Sequence, residues 1–183
     1  MNEKIQLIIQ LCLESQSKNP IELFKTIVKN PNINMHGPEH HFLDGACLLT
    51  AYFNCTNQSD LKNALDKLSN EALKMPGAIC GKWGVCGAVT SIGASLAIIE
   101  NTGPLTTNSS WGDHMMYTSK ALESLGKVNG PRCCKRDGVL SLMIVIEYVE
   151  KYLHTTLESC GFDCDFSYRN AQCIKERCPF YRK

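Results

Sequence analysis

Three strings in this chain carry side chains that can bind metals or move protons and electrons. They are His36-Gly-Pro-Glu-His-His41, Cys80-Gly-Lys-Trp-Gly-Val-Cys86 and Gly130-Pro-Arg-Cys-Cys-Lys-Arg136, and the tail adds Cys160, Cys164, Cys173 and Cys178. Thiolates and imidazoles are the usual ligands of zinc and of iron in sulfur clusters. Each of the first three strings stands where a loop runs into an apolar helical stretch, beside glycines that let backbone come close. Such a setting suits a buried metal or redox site.

In the second string, Met75-Pro76-Gly77 breaks the preceding helix. Cys80 is therefore expected in a glycine-punctuated loop and Cys86 in the first turn of the next helix, where free amides and the helix dipole favour a thiolate and lower the thiol pKa. Gly81, Gly84 and Gly87 leave room for a cluster or substrate, and Trp83 can cover it or stack on it. The blander alternative makes Cys86 a small core residue and the glycines a tight turn. Cys133 and Cys134, if on a helical first turn, point about 100° apart, so one of them is expected to face a shared site. Arg132 and Lys135 beside them would stabilise a thiolate, an anionic cluster or an anionic substrate; a vicinal disulfide or simple core filling are the alternatives.

His36, His40 and His41 surround Glu39, a candidate acid or base. Asp44, four residues after His40 and three after His41, is placed to hydrogen-bond one ring and fix its tautomer. Left alone, such histidines would serve as caps or face solvent. The tail spacing, Cys160-x3-Cys164-x8-Cys173-x4-Cys178, is compatible with structural zinc or an iron-sulfur cluster but matches no ferredoxin run or standard zinc ribbon. Cys12, Cys47 and Cys55 read as core or incidental thiols, and His114 and His154 as ordinary surface residues. Walker, Rossmann, Gly-x-Ser-x-Gly and His-Glu-x-x-His signatures do not occur.

Composition narrows the setting. The 183 residues, with a formal net charge of +1 and cations spread along the chain, suit one globular domain and give no footprint for nucleic acid or an acidic membrane. Eleven cysteines is an odd number, which argues against a fully paired disulfide scaffold. The first fifteen residues lack a signal-peptide pattern, so a cytoplasmic location is expected, where thiols serve as ligands, nucleophiles or redox carriers more often than as bridges.

The elements that must position these groups read as helices. Ile5, Ile8, Ile9, Leu11 and Cys12 suggest one. Asn19-Pro20-Ile21-Glu22 reads as a capping box opening a second, which Asn30-Pro31 stops. A third begins at Pro38-Glu39 and carries Phe42, Leu43, Ala46, Leu49 and Phe53; a fourth carries Leu61, Leu65, Leu68 and Ala72. Residues 85–100 are apolar or small nearly all round and predict a central buried helix. Its apolar run is too short and too interrupted to span a bilayer. Trp111, Met115, Leu122 and Leu125 mark the next helix, closed by Gly126, and residues 139–153 the last. The expected fold is all-α: a compact bundle of about seven helices around the small-residue helix, one domain over 1–183, with a helical core at 1–154 and a Cys-rich metal-binding tail at 155–183 packed on it.

The strings HGPEHH, GAICGKWGVCGAVTSIG, GPRCCKR and the terminal Cys-Pro-Phe together resemble an uncharacterised prokaryotic family, domain of unknown function fifty-seven-fourteen, over most of the chain from His36 onward. The resemblance implies a companion of radical, methyl-transfer or sulfur-handling enzymes in anaerobes, with no activity to carry over. A shorter likeness, Cys86-Gly-Ala before a small-residue helix, is similar to cysteine-rich redox proteins.

The residues point first to a metal-dependent redox or sulfur-transfer protein with an iron-sulfur cluster. Its ligands would be drawn from Cys80, Cys86, Cys133, Cys134, Cys160, Cys164, Cys173 and Cys178. His36, Glu39, His40 and His41 would serve as proton donors or further ligands, Arg132 and Lys135 as countercharges, and Trp83 as a cover. Expected partners are a small or sulfur-bearing substrate and a redox or radical partner protein. The alternatives are a non-enzymatic helical scaffold with structural zinc in the tail, and a metal-free dithiol oxidoreductase working through Cys80/Cys86 or Cys133/Cys134.

Overall fold

A computed structural model describes residues 1–182. Among them stand eight α-helices: α1 (Asn2–Glu14), α2 (Pro20–Ile27), α3 (His40–Thr56), α4 (Leu61–Ala72), α5 (Ile79–Lys82), α6 (Gly87–Ile99), α7 (Ser110–Val128) and α8 (Cys134–Leu153). The tail adds two short 3-10 turns and one isolated bridge between Cys164 and Tyr181. No described helix is long and apolar enough to cross a membrane.

The capping logic holds at α2. Asn19 accepts from the amides of Ile21 and Glu22, both at 3.1 Å, and Pro20 occupies the first helical position, where its missing N–H costs nothing. The eighth helix is α5, one turn that holds Cys80 where a loop was expected. It forms because Ala78 adopts a left-handed conformation (φ 64°) that starts a new turn two residues after Pro76.

The small-residue helix α6 buries the face it turns to α3, but the helix enclosed on every side is α3, whose residues 40–53 are all buried. It can be enclosed because α1, α2, α4, α6 and α8 all pack around it. Phe42, Leu43, Leu48 and Leu49 are each fully shielded, and each such side chain contributes roughly 1.5–3 kcal/mol of burial. Close approach of α6 depends on Gly45, whose amide donates to Ser91 Oγ at 3.0 Å and whose missing Cβ would strike Ser91 and Ser95.

Four features of α7 and α8 depart from expectation. In α7 the buried face is Ser110, His114, Tyr117 and Ala121, whereas Trp111 and Met115 lie half exposed on the opposite side. His114 is no surface residue: its ring packs against Tyr148 and its Nε2 lies 2.7 Å from Glu100. Gly126 does not end α7, which continues to Val128, and α8 starts five residues before Val139, at Cys134.

The tail is fastened less by its cysteines than by aromatic packing. Leu157, Phe162, Phe166 and Phe180 are buried in the same core as the helices. The Phe162 ring meets Phe24 at 6.4 Å and Phe180 at 5.4 Å, which holds the tail against α2.

Candidate functional site

Three helix N-termini meet at one end of the bundle. Helix α3 starts at His40; Cys86 and Cys133 are the residues that precede the first turns of α6 and α8. Gly87 lies so close to His41 that a Cβ there would collide with the ring. Gly138 presses in the same way on the Asp44 carboxylate and the Phe24 ring. The three strings singled out in the sequence are thus neighbours in space, joined through glycines that admit the contact.

Beneath them lies a buried polar cluster. His40 is 1% exposed, and its Nε2 stands 3.1 Å from the Lys135 ammonium, which also donates to the Asn34 carbonyl. The same Nε2 stands 3.3 Å from the Asn34 carbonyl; an ammonium has only protons to give, so with Lys135 charged and serving that carbonyl Nε2 accepts and the ring's own proton goes to Nδ1, an atom with no partner. Burial first, and the Lys135 charge second, push the His40 pKa down to about 3. Burial also pushes Lys135 down to about 8, against the pull of Cys134 and Asp44. Lys135 is therefore spent on His40 and Asn34 and is no countercharge for an external anion.

Asp44 does not fix a histidine tautomer. Both of its oxygens are buried without a hydrogen-bond partner, because the side chain turns toward Gly138 on α8. Burial raises its pKa well above its ordinary value, against the pull of the Lys135 charge. Burial likewise lowers His41 and raises Asp137, the latter in spite of the Arg136 guanidinium. Glu39 is tied down: its Oε1 accepts from the Asn34 amide at 2.9 Å and from Lys4 at 3.3 Å, clasping the loop before α3 to α1. His36 reaches the tail instead, donating from Nε2 to Asn170 Oδ1 at 3.1 Å.

The sulfurs fall into separate groups. Cys133, Cys164, Cys173 and Cys178 line one small cavity, with about 20 Å³ of free space, walled by Phe162, Phe166 and Phe180. A water-sized sphere needs roughly 10–15 Å³, so the space suits a single ion better than a four-iron cluster. Backbone amides aim at two of these sulfurs: Phe166 N–H at Cys164 and Lys175 N–H at Cys173, each 3.4 Å away. Asn170 Nδ2 lies 3.8 Å from the Cys133 sulfur. Amides directed at sulfur stabilise a thiolate and tune a bound metal. Among the described residues, however, no three His, Cys, Asp or Glu side chains are gathered as they would be around a metal ion. The four thiols share a cavity without forming a closed ligand set.

Cys80 and Cys86 are elsewhere, lining a cleft with Arg132 and Arg136. Cys86 is no ready thiolate: although the amides of Ala88 and Val89 pull the other way, burial dominates, aided by Asp137, and pushes its pKa up to about 12. The helix N-terminus thus loses to desolvation, and the same holds at α8, where burial raises Cys133 and carries Cys134 to about 11. The adjacent pair diverges because Cys133 is extended backbone ahead of α8 and Cys134 is its first helical residue: Cys133 faces the sulfur cavity, and Cys134 turns to the Gly37 amide. Cys160 is exposed and Trp83 is 65% exposed; neither lines the cavity or the cleft, so Trp83 covers nothing there.

Asp137 and Asn170 escaped the sequence reading, and Arg136 was marked there only as a flanking cation. Arg136, 4% exposed, lines both the cavity and the cleft. Its Nε donates to Asp137 Oδ1 at 2.9 Å, and Asp137 Oδ2 takes the Cys133 amide at 3.3 Å. Asp137 stands four residues after Cys133, one more than a capping box has, so its spacing gave no such signal. Asn170, which joins His36 to Cys133, carried none either.

The sequence profile described as a family of unknown function (DUF5714) matches residues 8–181. No curated protein and no solved structure matches the chain.

Proposed function

The chain belongs to the DUF5714 family, and we propose that it is a metal-dependent protein of redox or sulfur chemistry. Its ion would be held by Cys133, Cys164, Cys173 and Cys178. The observation that carries this reading is the cavity itself: four thiols, one from the start of α8 and three from the tail, around space for one ion. Soft thiolates select iron or zinc over hard cations, and the two amides aimed at sulfur support ligation further.

A single iron is favoured over a polynuclear cluster by the size of the space, and zinc would instead make the tail a structural clasp. Bound iron would supply a one-electron couple; the protein's part is to fix the sulfurs, exclude water with Phe162, Phe166 and Phe180, and set Arg136 beside the site. Ligation releases protons from thiols that burial holds protonated at Cys133 and Cys164, so affinity rises with pH. The scaffold reading draws on the aromatic packing of the tail, which needs no metal. The dithiol reading is weakened at Cys86 by a pKa near 12.

Anaerobic purification with metal and acid-labile sulfide analysis tests this. One equivalent of iron or zinc without sulfide is expected, lost in Cys133→Ser and Cys164→Ser and retained in Cys80→Ser and Cys160→Ser. Metal retained in Cys164→Ser, or lost in Cys80→Ser, overturns the assignment. Stoichiometric sulfide would restore the cluster in place of the single ion.

A further inference from the structure

On the other face of Arg136 lies a cleft of about 260 Å³ between the α5–α6 turn and the α7–α8 turn. Its walls include Cys80, Gly84, Cys86, Gly130 and Arg132. Small-molecule pockets run from roughly 300 to 1,000 Å³, so this one suits a compact ligand rather than a nucleotide.

Its charge is positive. Arg132 is exposed at the rim, and none of the ion pairs among the described residues includes it. Arg136 is buried behind it, held rigid by Asp137 and by the Pro131 carbonyl, which accepts from Nη2 at 3.1 Å. The one carboxylate in the wall, Asp137, already has both oxygens engaged, by Arg136 and by the Cys133 amide. Two guanidiniums against one occupied carboxylate leave the cleft with a surplus positive charge. The N-terminus of α6, thirteen residues long, opens at the same place and adds its partial positive charge.

The walls are also bare. Gly84 holds a left-handed conformation (φ 68°), and a Cβ built on Gly84, Gly126 or Gly130 would meet nothing within 4 Å. A ligand can therefore lie against backbone on both sides. Planar guanidiniums bind carboxylate and phosphate oxygens in paired hydrogen bonds; exposed Arg132 offers such a fork, and Arg136, with its Nε and Nη2 engaged, adds a fixed positive charge behind it.

We propose that this cleft binds a small-molecule oxyanion. Its phosphate or carboxylate is held by Arg132 and Arg136, and the rest of the molecule lies against the thiols of Cys80 and Cys86. The inference goes beyond the metal site and does not depend on it, since none of the tail sulfurs lines the cleft.

Inorganic phosphate is the probe. Calorimetric titration at constant ionic strength should show saturable one-to-one binding, weakened at least tenfold by Arg132→Gln, a rim substitution that leaves the packing intact. Saturating phosphate should slow iodoacetamide modification of Cys80 at least tenfold and leave exposed Cys160 unchanged, as read by peptide mass spectrometry. Binding should persist in Cys164→Ser, where the metal is lost, so failure of the metal assignment and failure of the cleft assignment are told apart. Absence of saturable binding, binding indifferent to Arg132→Gln, or equal protection of Cys80 and Cys160 would overturn the proposal.

Discussion

Replacing His40 with glutamine should change how stability depends on pH, and the size of the change follows from where the ring sits. In the folded protein burial and Lys135 hold the pKa near 3; in the unfolded chain it returns to about 6.5. Between those values the unfolded state binds a proton that the native state does not. A depressed pKa of this kind gives stability that is present above the unfolded value and lost as pH falls toward the folded one, at about 1.4 kcal/mol per pH unit. Over the 3.5 units from 6.5 down to about 3, the full loss approaches roughly 5 kcal/mol. The wild-type curve alone does not reveal this. Asp44, whose pKa is raised, contributes the opposite slope above about 4. The measurable quantity is the difference between His40→Gln and wild type, in which Asp44 cancels. Glutamine offers an amide oxygen that can still accept from Lys135 but does not titrate. Urea unfolding followed by far-UV circular dichroism at pH 4.5, 5.5 and 6.5 should give a stability difference that moves in favour of His40→Gln by about 1.0 kcal/mol from pH 6.5 to 5.5 and about 1.3 kcal/mol from pH 5.5 to 4.5. Parallel curves would show that His40 is neither buried nor held neutral by Lys135, and the polar cluster would have to be redrawn.

Asp44→Asn should move the other way: the raised pKa gives stability that is lost as pH rises toward the folded value, so the variant gains on wild type from about pH 4 upward, at up to about 1.4 kcal/mol per unit; a pH-independent difference in the same unfolding experiment would refute the raised pKa of this unpartnered carboxyl. Gly87→Ala should destabilise by about 1–3 kcal/mol, because the new methyl strikes the His41 ring, whereas Gly93→Ala, whose Cβ would meet only the Thr118 methyl at 3.2 Å, should be neutral or gain up to about 1 kcal/mol from helix propensity. Equal melting temperatures for the two variants would mean that α3 and α6 do not approach through Gly87.

The helices were legible because apolar spacing and caps are local signals: Asn19-Pro20 announces α2, and Phe42 through Phe53 announce α3. That α3 rather than α6 is enclosed was not legible, since enclosure depends on how many helices surround an element. Composition tells only how apolar it is. The α7 face was misjudged for a related reason: Trp111 and Met115 are large and apolar, yet His114 was drawn inward by Glu100 and Tyr148, a polar pairing no hydropathy pattern records. At the site, the sequence marked the three strings but assigned them one shared chemistry. The structure divides them, and Arg136 is the divide. The step from extended Cys133 into the helix at Cys134 sends the two thiols in different directions, and the first turn of α8 then turns Lys135 inward to His40 and leaves Arg136 between the sulfur cavity and the cleft. Had Arg136 been on the outer face of α8, the cavity and the cleft would share no wall. As it stands, a charge bound in one is felt in the other through a single buried guanidinium already committed to Asp137. An anion in the cleft would draw on the same positive charge that stabilises thiolates in the cavity, so occupancy of the cleft should weaken, rather than strengthen, any metal held by Cys133.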